Sequence, residues 1–122
     1  MTTSVLAIDD SRTIRSLLAA TLEEYDFDVT TAVDGVDGLE KFADASPNVV
    51  ITDINMPRLD GFGVIEGIRS GKRNKTVPII VLSTESAAEL KDRARKAGAT
   101  GWIVKPFDEA SLVSVLKRIT GV

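Results

Sequence analysis

An apolar run rich in β-branched residues in the middle of the chain, Val49-Val-Ile-Thr52, ends in a carboxylate, Asp53, and Asn55-Met-Pro57 and Asp60-Gly61 then turn the backbone. Pro presets φ and Gly accepts positive φ, so the run closes in a sharp turn with the carboxylate at its mouth. Three other apolar runs end in reactive side chains. Val5-Leu-Ala-Ile8 stops at Asp9-Asp10, Pro78-Ile-Ile-Val-Leu82 at Ser83-Thr84, and Trp102-Ile-Val104 at Lys105-Pro106. Like-charged carboxylates about 4 Å apart, at an effective dielectric of about 20, repel by roughly 4 kcal/mol per pair, so such a cluster needs a raised pKa or a cation. All-oxygen ligands favour a hard ion, and a site that keeps its waters suits Mg²⁺ better than Ca²⁺. Lys105 and a hydroxyl then remain to hold something anionic, and a phosphoryl group can bridge metal, ammonium and hydroxyl. Asp53 is the best nucleophile of the set. It can accept a phosphoryl group as an acyl phosphate while Mg²⁺ and Lys105 neutralise the moving oxygens.

These groups converge only if the runs are parallel strands of one sheet. Short apolar segments (Val5 to Ile8, Phe27 to Ala32, Val49 to Thr52, Pro78 to Leu82, Trp102 to Val104) alternate with helical patterns. The first helix places Ile14, Leu17, Leu18, Leu22 and Tyr25 on one apolar face, and the second, opened by Asp34 with Asp37 in its first turn, carries Val36, Leu39, Phe42 and Ala43. The third carries Phe62, Ile65 and Ile68, and the last, capped by Asp108, carries Leu112, Val115, Leu116 and Ile119. The fourth, from Ala87 to Ala97, is thinly apolar, with Leu90, Ala94 and Ala97 against a charged remainder. The pattern predicts an α/β fold: a doubly wound, five-stranded parallel sheet of flavodoxin-like order 2-1-3-4-5 with five flanking helices. Its strand ends share one edge, beside the switch point between the first and third strands. The basic stretches Arg69 to Lys75 and Lys91 to Lys96 read as solvated faces.

Composition narrows the chemistry. A chain of 122 residues with 43% hydrophobic and 27% charged residues is expected to form one domain, 1–122, with a real core. It contains neither cysteine nor histidine, which excludes disulfides, thiolate chemistry and Ser-His-Asp triads. A net charge of −3 gives no electrostatic case for a nucleic-acid partner. With no signal-peptide pattern and no long apolar run, the expected place is the cytoplasm and no membrane partner is expected.

Asp9-Asp10, Asp53 followed by Asn-Met-Pro-x-x-Asp-Gly, Ser83 and Lys105-Pro106 together resemble the receiver domain of two-component response regulators. The likeness covers the whole chain, and Gly98-Ala-Thr-Gly-Trp102-Ile-Val-Lys-Pro-Phe is similar to chemotaxis-type single-domain receivers. The resemblance implies that Asp53 is the phosphoacceptor, supplied by a phosphohistidine on a histidine kinase. It implies Mg²⁺ on Asp10, the Asp53 carboxylate and the Asn55 backbone carbonyl, with Asp9 acting largely through water. Ser83 and Lys105 would bind phosphoryl oxygens, Lys105-Pro106 would be a cis peptide, and Trp102 would change rotamer as Ser83 moves. The domain would then be a signalling module whose only reactions are its own phosphorylation and dephosphorylation. It would act as a monomer on an output protein, such as a flagellar motor switch, or as a phosphate sink. Ser83 stands where threonine is commoner, and Trp102 where tyrosine or phenylalanine is usual.

Rival readings are distinguishable. A flavodoxin-like flavin carrier needs neutral donors in the first strand–helix loop, where Asp9-Asp10 would repel a phosphate; a yellow chromophore would mark one. An Asp-nucleophile phosphatase of the haloacid dehalogenase type usually has an acid two residues after its nucleophile, where this chain has Asn55. Gly67-Ile-Arg-Ser-Gly-Lys72 lacks the spacing and following hydroxyl of a P-loop.

Overall fold

The computed structural model describes residues 3–121. β-Branched and aliphatic runs form strands β1 (Thr3–Ile8), β2 (Phe27–Ala32), β3 (Val49–Thr52), β4 (Ile79–Ser83) and β5 (Gly101–Val104). Helices α1 (Arg12–Glu24), α2 (Gly35–Ala45), α3 (Gly61–Arg69), α4 (Ala88–Ala97) and α5 (Glu109–Thr120) alternate with them. The strands are all parallel, in the order β2-β1-β3-β4-β5, as the sequence pattern predicts. β1, β3 and β4 are buried on both faces, so each of their apolar residues packs into one of two cores. One core joins α2, α3 and α4 to the sheet around Leu6, Val50, Ile65 and Val81; the other joins α1 and α5 around Ala7, Ile51, Leu82 and Leu116. Among the described residues, no helix is long and apolar enough to cross a membrane.

Side-chain oxygens start most helices. Ser11, Asp34, Asp60 and Asp108 accept backbone N–H groups of Ile14, Asp37, Gly63 and Ser111. α4 differs: its N-cap is Ala87, with no side-chain bond, whereas its C-cap, Gly98, has φ 117° and donates to Ala94 and Arg95.

Several apolar positions lie elsewhere than the stripes predict. Leu17 is 42% and Tyr25 41% exposed, and Ala43 is exposed. Leu17 and Leu18 are neighbours, about 100° apart on a helix, so only Leu18 reaches the core. Tyr25 lies beyond the helix, where Lys117 stands 5.5 Å from its ring centroid. Val64 and Val113 are buried instead, α3 because it is packed between α2 and α4 and needs a wider apolar arc.

The basic stretches are not simply solvated. Arg69 donates from Nε and Nη2 to the Gly98 carbonyl (3.0 and 2.8 Å) and from Nη1 to the Lys75 carbonyl (2.6 Å), tying the end of α3 to the end of α4. Arg93 lies 3.9 Å above the centre of the Phe62 ring, linking α4 to α3. Lys72, Arg73, Lys91 and Lys96 remain exposed, as expected.

Candidate functional site

Backbone bonds beyond the strand ends set the reactive side chains in place. Asp9 N–H donates to Ala32 (3.1 Å), Asp53 N–H to Ile8 (3.0 Å) and Lys105 N–H to Ser83 (2.8 Å), so the ladders continue through the site residues. Thr52 pairs with Val81 and Ser83 with Val104, which sets Ser83 one step and Lys105 two steps beyond Asp53 on the same edge. Lys105-Pro106 is cis.

The Lys105 ammonium bridges two carboxylates, 2.8 Å from Asp9 Oδ2 and 3.0 Å from Asp53 Oδ2. The remaining oxygens are also occupied: Asp9 Oδ1 accepts from Ser11 N–H (2.9 Å) and Asp53 Oδ1 from Ile54 N–H (2.7 Å). Asp9 is almost wholly enclosed, at 1% exposure, while Asp10 stands exposed at the rim. Carboxylate oxygens of Asp9, Asp10 and Asp53 nevertheless lie within 4.8 Å of one another. Burial pushes the Asp9 carboxyl above its ordinary value, against the lowering effect of Lys105 and the Ser11 N–H. Burial also opposes the Lys105 ammonium, but its hydrogen bonds to Asp9 and Asp53 outweigh this and hold its pKa up. The sequence brings the acids together correctly; the ammonium spanning two of them is a relation the strand ends alone do not reveal.

Ser83 is buried, and its Oγ accepts the Glu85 N–H at 3.2 Å. The Trp102 indole Nε1 donates to the carbonyl of that same Glu85 at 2.9 Å. Ser83 and Trp102 are therefore joined through one residue's backbone. Trp102 is half-buried against the α2–α4 core and helps line a cavity of about 380 Å³ with Ala88, Ala94, Ala99 and Gly101. Thr84 is exposed, leaving Ser83 as the enclosed hydroxyl of the pair.

Asn55 is exposed in the loop after β3, whose neck is closed by Gly61 N–H donating to the Ile54 carbonyl (2.9 Å). Sequence reasoning assigns Asp34 a capping role only. In the fold its carboxylate also takes a forked pair of bonds from Arg58, Nε to Oδ2 at 2.6 Å and Nη2 to Oδ1 at 3.0 Å. The Arg58 hydrogen bonds, and then the Asp37 N–H, hold the Asp34 carboxyl below its ordinary value. A depressed carboxylate pKa contributes stability that is present above the unfolded value, about 3.9, and is lost as pH falls through the folded value. Asp34→Asn keeps a good capping group but loses this contribution. The gap in melting temperature between Asp34→Asn and the unmodified chain should therefore be widest near neutral pH and close below pH ~4.

A parallel sheet in this order, with three aspartates and a lysine gathered at its switch point, defines a CheY-like receiver-type domain. The model of the response regulator receiver domain family matches residues 5–117, and the chain belongs to that family. It is similar to Protein PilG of Pseudomonas aeruginosa, 39% identical over 113 residues that span 93% of this chain and 84% of PilG. It is likewise similar to the chemotaxis protein CheY1 of Helicobacter pylori, 39% identical over 119 residues that span 96% of each. The structure of the Vibrio cholerae chemotaxis protein CheY4 matches with a TM-score of 0.93 at 39% identity, covering 98% of this chain and 99% of that one.

Proposed function

We propose that this receiver accepts a phosphoryl group on Asp53 from a phosphohistidine of a histidine kinase, in the cytoplasm, and that phosphorylation alters a surface read by an output protein. The observation that carries the reading is the bridging of Asp9 and Asp53 by Lys105 Nζ at the carboxyl edge of the sheet. The donor set fits Mg²⁺: carboxylate oxygens of Asp9, Asp10 and Asp53 lie within 4.8 Å of one another, and the resemblance to receiver domains implies the Asn55 backbone carbonyl as a further hard ligand. When bound, Mg²⁺ supplies charge neutralisation for the transferring oxygens. An Asp53 carboxylate oxygen forms the new O–P bond as the N–P bond to the kinase histidine breaks, and that nitrogen is left to take a proton from solvent. Lys105 offsets the charge on the phosphoryl oxygens, and the Ser83 hydroxyl donates to one of them. Similarity to chemotaxis proteins favours chemotaxis or motor control as the pathway, with a phosphate sink as the alternative. We propose no reaction for the module beyond its own phosphorylation and dephosphorylation.

A move of the Ser83 side chain toward a phosphoryl group would loosen its bond from the Glu85 N–H, and the Glu85 carbonyl that holds Trp102 would shift with it. The output surface is then α4, β5 and α5, with two discrete arrangements of Trp102. One experiment tests both halves. Incubated with Mg²⁺ and acetyl phosphate, the protein should gain one base-labile phosphoryl group, and Asp53→Asn should gain none. Trp102 is the sole tryptophan, so its emission should change with occupancy, and Ser83→Ala should remove most of that change. Label on a serine or threonine would refute the phosphoacceptor; unaltered emission at full occupancy would refute the switch.

A further inference from the structure

We propose that Arg58 is a positioning residue for the metal site: its forked ion pair with Asp34 clamps the tip of the loop that carries Asn55. The proposal rests on reading the acidic cluster as a Mg²⁺ site. Arg58 has φ 67°, a left-handed conformation in which glycine is the default and a Cβ is unfavourable. Of the others that share that region, Asp26 and Asn74 are of types that tolerate it, and Ser46 is the C-cap of α2, where a left-handed residue closes the helix. Arginine does not belong with them unless its side chain compensates, and here it does. The planar guanidinium meets both Asp34 oxygens, at 2.6 and 3.0 Å, a geometry a point charge would not fix.

The anchor is firm. The Asp34 side chain is only 8% exposed, and its Oδ1 also accepts the Asp37 N–H at 2.9 Å, so it belongs to the α2 N-terminus. Leu59, next to Arg58, lies directly against Gly35, where any Cβ would overlap the Leu59 carbonyl oxygen. The loop from Asp53 to Asp60 is thus fastened twice, at its neck by Gly61 to Ile54 and at its tip by Arg58 to Asp34. Asn55 lies between the fastenings. The Arg58 side chain is 58% exposed, so it adds little to the core, and its effect is concentrated on the loop. Loss of the tip fastening leaves the Asn55 carbonyl to sample more positions, and a ligand that must be ordered on binding binds metal more weakly.

The test compares Arg58→Met, which keeps the Cβ and stem but lacks the fork, with Asp34→Asn and the double variant. Mg²⁺ alone is titrated into each by calorimetry, and exchange of the Leu59 and Gly61 amides is followed without metal. Each single change should raise the Mg²⁺ dissociation constant about tenfold, the low end for groups that orient a metal ligand. The double variant should be no weaker than either single one, and amide exchange should quicken in all three. Arg58→Lys, with the charge but not the fork, should fall between. An unchanged dissociation constant, even with a lower melting temperature, overturns the clamp, as does strict additivity in the double variant. Failure of the unmodified protein to bind Mg²⁺ overturns the metal reading beneath it.

Discussion

Lys105→Met should lower the stability of the metal-free protein by about 3 kcal/mol, the low end for breaking one side of a buried ion pair. The ammonium lies within 3.0 Å of two carboxylates, and its side chain and those of Asp9 and Asp53 are 11%, 2% and 12% exposed. Methionine fills the volume of the stem but leaves two enclosed carboxylates facing each other. Asp9, already pushed toward its neutral form by burial, relieves part of the repulsion by taking a proton, which keeps the loss from being larger. Mg²⁺ should restore most of the deficit, because a dication at the same oxygens replaces the missing charge. Its stabilising effect follows mass action, about 2.7 kcal/mol at a hundredfold excess over the dissociation constant. Denaturant unfolding with chelator and with Mg²⁺ measures both terms. Equal stability of the variant and the unmodified chain in chelator would show that the ammonium does not compensate the acids.

Gly61→Ala should be comparably harmful, about 3 kcal/mol, at the upper end of ordinary overpacking. A Cβ there would overlap the Asp53 carbonyl oxygen and crowd the Ile54 Cα, and backbone atoms cannot swing away. The clash lies at the first residue of α3 and at the neck of the Asn55 loop, so Mg²⁺ binding should weaken along with the fold. Gly67→Ala is the instructive contrast. Its Cβ would come within 2.9 Å of Leu39 Cδ1, the tip of a flexible side chain that can turn aside. Alanine also gains about 1 kcal/mol over glycine in a helix interior, so Gly67→Ala should be near neutral. Thermal melts of the two variants decide the matter; equal losses would contradict the distinction between rigid and yielding neighbours.

The fold was legible because its signals are local and periodic. Apolar runs that stop at Asp9, Asp53, Ser83 and Lys105 announce parallel strands with a common edge, and once they are parallel the residues have to meet. Helix starts were equally plain at Asp34 and Asp108, since a capping oxygen acts within three residues of itself. What could not be read depends on long-range partners without a period. Arg58 finds Asp34 across 24 positions and Arg69 finds Gly98 across 29, and each sits in a stretch whose composition signals only loop or basic surface. Leu17 failed for another reason: apolar type marks a candidate for burial, but the width of the neighbouring layer decides which candidates are covered.

The unequal ends of α4 give it the mechanics of a lever. At one end Gly98 accepts two bonds from Arg69 while donating to Ala94 and Arg95, a fulcrum fixed to the neighbouring helix. At the other end Ala87 offers no side-chain cap, and the free arm begins two residues past Glu85, where Ser83 and Trp102 are both tethered. If phosphorylation displaces Ser83 as proposed, that displacement would enter at the uncapped end of α4 and swing the helix about the end held by Arg69. Partners that grip near Ala88 would feel the full stroke, and those that grip near Ala97 would feel almost none.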